Sequence, residues 1–195
     1  MNDKFNSFLI SRRFPPEFSG LKYESILNPQ TEELIESLIS AVNDENVSRM
    51  MVLYPLAGNP LDMDYTQKVF YLAFKHILMY GVSQFNRILV DIITISAMAA
   101  HAEEDFNWSA KYKQSFSNTV LFIPDFIVSN DIRFPIEITT RIQNGLFDLM
   151  IENNNTIVLL SEFPKIEKNF NVWSPSMMSK IRNYSNTFVL TPTRR

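Results

Sequence analysis

The chain has 195 residues, of which 46% are apolar and 20% charged, with a net charge of −3 and a pI of about 5.4. This length favours one domain with a core large enough to need no covalent staples. The absence of cysteine excludes disulfides and thiolate metal sites, and the acidic balance excludes a whole-surface footprint for nucleic acid. No basic start leads into a long apolar stretch, and no run approaches the roughly 18 apolar residues of a membrane helix, so a cytoplasmic location with no membrane contact is expected.

Residues 1–27 read as an N-terminal arm, and residues 28–195 as a single α/β domain. In the arm, Arg12-Arg13-Phe14-Pro15-Pro16 bars a helix through its paired prolines. Asn28-Pro29 then starts one, because Asn can cap and Pro suits the first helical position. Leu34, Ile35, Leu38, Ile39 and Val42 follow at helical spacing. The apolar run Met50 to Tyr54, stopped by Pro55, predicts a buried strand. Ala57-Gly58-Asn59-Pro60 reads as a turn. A long helix pattern runs from about Met63 to Tyr80, with Gly81 at the place of a C-terminal glycine. Arg87 to Ile92 reads as a second strand and Ser96 to Ala102 as a helix. Asn118 to Ile123 is a third strand, followed by Pro124-Asp125. A helix opens at Pro135, with Ile138, Ile142, Leu146, Leu149 and Met150 on one face. Thr156 to Leu160 is a fourth strand, Pro175 to Arg182 a short helix, and Thr187 to Leu190 a last strand. Apolar strands alternating with helices predict a doubly wound, mostly parallel five-stranded sheet covered on both faces.

A strand–loop–helix start invites a test for a phosphate loop. A working loop carries G-x-x-x-x-G-K-S/T, in which glycines turn backbone N–H groups to the phosphates, Lys meets their charge and the hydroxyl holds magnesium. Here Pro55 stands at the first glycine, Pro60 at the last, Leu61 at the lysine and Asp62 at the hydroxyl. The prolines remove amide donors, and Asp62 repels phosphate. Only 4 glycines are present in the chain, and one of them, Gly58, lies in this loop. Leu56 and Leu61 are expected to fill the lost nucleotide site.

The serial order of several segments resembles the AAA+ core of bacterial helicase loaders of the DnaC/DnaI type and of IstB transposition ATPases. Phe14 to Phe18 followed by Leu21 to Ile26 resembles the segment ahead of their ATPase domain. Met51 to Tyr54 resembles the strand before their phosphate loop, and Ser117 to Asp125 their Walker B strand. Leu146 to Asn154 and Thr156 to Ser161 resemble their helix and sensor-1 strand. Ser179-Lys180-Ile181 resembles their serine–arginine finger pair, and Thr193-Arg194-Arg195 their basic tail. The resemblance implies a P-loop NTPase (AAA+)-like fold. Against its pattern, Asp125 is the one acid left at the Walker B end, Lys180 stands for the finger Arg, and Ser161 stands where these families tend to use Asn. Lys lacks the planar fork of Arg.

The leading expectation is therefore a catalytically inactive loader-like replication protein, with no cofactor and no catalytic residue. It would act by binding an AAA+ loader, an initiator or a replicative helicase, or by self-association. Gly58, Leu61, Asp62, Asp125 and Ser161 mark the degenerate nucleotide site, and Lys180, Arg182, Arg194 and Arg195 the opposing contact face. One alternative is an ATPase with an unorthodox loop, in which Asp62, Asp64 and Asp125 share magnesium. Another is a replication regulator resembling the DnaA/Hda branch. Taken singly, Gly58 is also a turn residue and Asp125 also a cap, and Lys180, Arg182, Arg194 and Arg195 also fit a solvated surface. His76 and His101 have no second ligand at metal spacing. Phe106 and Trp108 fit either a partner anchor or satellite core. The stretch 96–105 ends in Glu103-Glu104-Asp105, so DNA binding there is expected to be weak or absent.

Overall fold

The computed structural model describes residues 7, 9, 11–22, 24, 26, 28–44, 49–57, 59–83, 88–112, 118–127, 134–149, 155–162 and 173–192. Five strands, β1 (Met50–Pro55), β2 (Ile88–Ile92), β3 (Asn118–Ile127), β4 (Thr156–Ser161) and β5 (Ser185–Leu190), form one sheet in the order β2-β3-β4-β1-β5. Every neighbouring pair is parallel. The helix α1 (Pro29–Asn43) precedes β1, and α2 (Pro60–Ser83), α3 (Ile95–Glu104), α4 (Ile136–Phe147) and α5 (Pro175–Tyr184) run between successive strands.

The two-residue period of each strand feeds two cores. Met51 and Leu53 of β1, Val120 and Phe122 of β3, and Val158 and Leu160 of β4 face α1 and α2. Met50 and Val52, Leu121 and Ile123, and Ile157 and Leu159 face α3, α4 and α5. Both faces are thus covered, which is why the central strands β1 and β4 are almost wholly apolar, while the edge strand β5 opens on the polar run Ser185-Asn186-Thr187. Among the described residues no helix is long and apolar enough to cross a membrane.

The arm packs into the first core. Leu9, Phe14 and Ile26 are buried there. Phe14 meets Tyr71 edge-on at 5.5 Å and Phe18 stacks on the same ring at 4.4 Å. Lys75, buried on α2, donates to the Ser19 and Leu21 carbonyls at 2.9 and 2.8 Å. Burial pulls its ammonium pKa below the ordinary lysine value.

Several expected boundaries move for identifiable reasons. Pro16 opens a 3-10 turn, Pro16–Phe18, where the paired prolines were expected to bar helix; Pro at the first position lacks only an N–H that has no partner there anyway. β3 continues past Ile123 to Ile127. Its register with β4 shifts there, across Pro124, which cannot donate to a ladder. Gly81 does not terminate α2: it lies buried inside the helix with no positive φ, against the Ile88 side chain of β2. Met150, Asn153 and Asn154 lie outside the described residues, as does Arg87.

Candidate functional site

The chain path reverses at β1 and β4. From β1 it crosses to the far edge at β2, and from β4 it crosses β1 to reach β5. In open parallel sheets the crevice at the carboxyl ends of two such strands is where ligands bind. Here that end is formed by the loop after Pro55, by Ser161 at the end of β4, and by Asp125 near the end of β3. Ser161 is fully buried.

The loop after β1 is closed by its own side chains. Asn59 is the N-cap of α2: its carbonyl accepts from Met63 N at 3.1 Å and its Oδ1 from Asp62 N at 2.9 Å. The Asp62 carboxylate reaches back, with Oδ2 accepting from Ala57 N at 3.1 Å and from Asn59 Nδ2 at 3.0 Å. Asn59-Pro60-Leu61-Asp62 is thus a variant of the capping box, in which the acid at the third helical position takes the Ala57 N–H and the cap's side-chain amide in place of the cap's own N–H. Asp62 is 8% exposed. A fixed anion sits at the positive end of α2 and takes up a loop amide, the two features that a bound phosphate uses elsewhere. The loop is further tied to the sheet edge by Leu56 N donating to Leu190 O at 3.1 Å.

Leu56 and Leu61 do not fill a nucleotide cavity. They are 59% and 76% exposed, because the capping box turns the first helical turn outward at Leu61. Nor do Asp62, Asp64 and Asp125 converge on one metal. Asp64 pairs with Lys68 one turn along α2, Asp62 holds the loop, and Asp125 holds a different helix. Among the described residues no group of three His, Cys, Asp or Glu side chains has a metal-binding arrangement.

Asp125 receives Ile95 N on both carboxylate oxygens, at 2.9 and 3.1 Å. It therefore reinforces the start of α3, where Thr94 Oγ1 accepts from Ala97 N at 3.1 Å. Burial pushes the Asp125 pKa above the ordinary carboxylate value, and the Ile95 N–H offsets this in part. Burial, and after it the Glu17 and Asp125 charges, push the Tyr71 hydroxyl of α2 up to about 12. A raised carboxyl pKa means that the folded state holds the proton more tightly than the unfolded chain. Stability from this group is full below the ordinary carboxylate value and is lost as pH rises through the folded one. Asp125→Asn, whose Oδ1 still accepts from Ile95 N, is therefore expected to gain on wild type as pH climbs from about 4 to neutrality. Urea midpoints across that range check the sign, and a variant that loses ground with rising pH contradicts it.

The finger-position residue is engaged within the chain: Lys180 Nζ lies 3.9 Å from the centre of the Phe147 ring of α4. Arg182, in the last turn of α5, is exposed. Gly58, Arg194 and Arg195 lie outside the described residues. Reading the sequence treats Asn59 as turn chemistry and so misses it as a site residue, although Asn59-Pro60 repeats the Asn28-Pro29 signal that starts α1, where Asn28 Oδ1 accepts from Thr31 N at 2.9 Å.

No protein-family model and no curated protein matches the chain. Among solved structures it superposes on the Aeropyrum pernix ORC1 protein, solved in complex with DNA, with a TM-score of 0.55 and 14% identity over 89% of this chain and 47% of that one. It also superposes on C. elegans PCH-2, with a TM-score of 0.51 and 10% identity over 89% of this chain and 46% of that one. The fold is AAA+. The chain spans about half the length of each of these AAA+ neighbours.

Proposed function

We propose that this chain is an AAA+ subunit without ATPase activity that serves DNA replication by binding other replication proteins, in the manner of a helicase loader that has lost its engine. The capping box carries the reading: the Asp62 carboxylate takes the Ala57 amide and sits at the α2 N-terminus that a nucleotide phosphate would need. Leu61 at the lysine position, Lys180 at the finger position and a single acid at the end of β3 agree with it. The A. pernix neighbour, solved with DNA, supports a place among replication proteins, while the exposed Glu103, Glu104 and Asp105 at the end of α3 argue against nucleic acid as the direct partner on that face. Candidate partners are a loader, an initiator or a replicative helicase.

Phosphate release from ATP with magnesium tests the loss of activity. The expected rate equals that of buffer and is unchanged by Asp125→Asn. Magnesium-dependent turnover that Asp125→Asn abolishes overturns the proposal.

A further inference from the structure

The inner face of α4 (Ile136–Phe147) is committed to the second core through Thr139, Ile142, Gly145 and Leu146. Its outer face is not. Ile136, Glu137, Thr140, Arg141 and Asn144 recur at helical spacing along it and, with Phe106 as the opposite wall, line a groove of about 350 Å³. Ile136 is 77% exposed and Phe106 65% exposed. The run from Ile136 to Asn144 spans roughly 12 Å at the helical rise, enough for about two turns of a docked helix.

Phe106 is held at the surface. The Arg141 guanidinium lies 5.4 Å from its ring centre while Nη1 donates to the Ala102 carbonyl at 2.9 Å. An aromatic ring fixed before binding gives up little side-chain entropy when it is covered. Acidic side chains predominate around this apolar pair among the described residues. Glu103, Glu104 and Asp105 precede Phe106 and are exposed, and Glu137 lies in the groove. Among the described residues lining the groove, Arg141 is the one cation set against these acids, and it is already stacked and hydrogen-bonded.

We propose that this groove docks a basic amphipathic segment of a partner protein, its apolar side chains on Phe106 and Ile136 and its Lys or Arg side chains over Glu103, Glu104, Asp105 and Glu137. The inference rests on reading the chain as an interaction subunit and names the surface and the chemistry of the partner. An apolar centre with a charged rim is the usual anatomy of such a contact, and rim charges chiefly set its specificity.

The test uses the full chain, without nucleotide, and two labelled peptides of about 12 residues with Leu at i, i+3, i+4 and i+7. One carries Lys at the remaining positions and the other Glu. Fluorescence polarisation is expected to show binding of the Lys peptide and none of the Glu peptide. Phe106→Ala and Ile136→Ser, both at exposed side chains that leave the circular dichroism spectrum unchanged, are each expected to weaken the Lys peptide about tenfold or more. Raising salt from about 0.1 to 0.5 M is expected to weaken it several-fold. Equal binding of both peptides, no binding up to about 1 mM, or a Lys-peptide affinity indifferent to both variants overturns the proposal. A wild-type dimer in sedimentation that Phe106→Ala dissociates and the Lys peptide does not displace also overturns it, since a second copy then fills the groove. With nucleotide absent throughout, failure here leaves the ATP result standing, and the reverse holds too.

Discussion

Trp108→Ala is expected to lower the unfolding free energy by about 3–5 kcal/mol, while Phe106→Ala, two residues away, changes it by less than about 0.5 kcal/mol. Trp108 is buried in the second core and its Nε1 donates to the Arg141 carbonyl at 3.2 Å. Its indole lies against Gly145 of α4 so closely that a Cβ there would overlap the ring. Truncation opens a cavity that the surrounding helices cannot fully close and removes the indole's hydrogen bond to the Arg141 carbonyl. Phe106 gives up only a surface contact with Arg141. For a chain of this size each kcal/mol moves Tm by about 2–4 °C, so Trp108→Ala melts roughly 10 °C lower. Gly145→Ala gains helix propensity but forces the indole from its seat, and the net change is destabilising by about 1–2 kcal/mol. Urea unfolding followed by circular dichroism measures all three. Comparable losses from Phe106→Ala and Trp108→Ala contradict the division of labour between them.

Asp62→Ser is expected to cost about 1–2 kcal/mol, lowering Tm by about 3–6 °C, through the loss of the capping acid and the freeing of the Ala57 N–H. The variant also separates a structural acid from one that stands in for a ligand. With the carboxylate gone, the loop amide and the α2 N-terminus are open to an external anion, so inorganic phosphate at about 10 mM restores roughly 1–2 °C to the variant and nothing to wild type. Differential scanning fluorimetry reads both effects. Equal phosphate shifts in wild type and Asp62→Ser contradict a carboxylate seated in the anion's place.

The architecture was legible because apolar runs and helical spacing are local signals. All five strands and the five main helices lie where Met50 to Tyr54, Leu34 to Val42 and their counterparts place them. The capping box was equally legible, since Asn59-Pro60-Leu61-Asp62 carries the Asn-Pro start and the acid three residues after the cap. It was obscured because the same residues were tested for phosphate chemistry. Gly81 looks like a terminator because glycine often is one, and the packing reason for it, the Ile88 side chain of β2 against the helix, lies outside any helical window. The separation of Phe106 from Trp108 depends on Gly145, and the use of Asp125 on Ile95 N thirty residues earlier. Long-range pairings of this kind leave no periodic trace in the sequence.

If the Asp62 carboxylate stands where a nucleotide's phosphate would, titration of the purified protein with a fluorescent ATP analogue, with and without magnesium, reads it out. No saturable signal is expected up to about 1 mM under either condition, an affinity weaker than about −4 kcal/mol. Tight, magnesium-dependent binding that is lost when unlabelled ATP competes would contradict it.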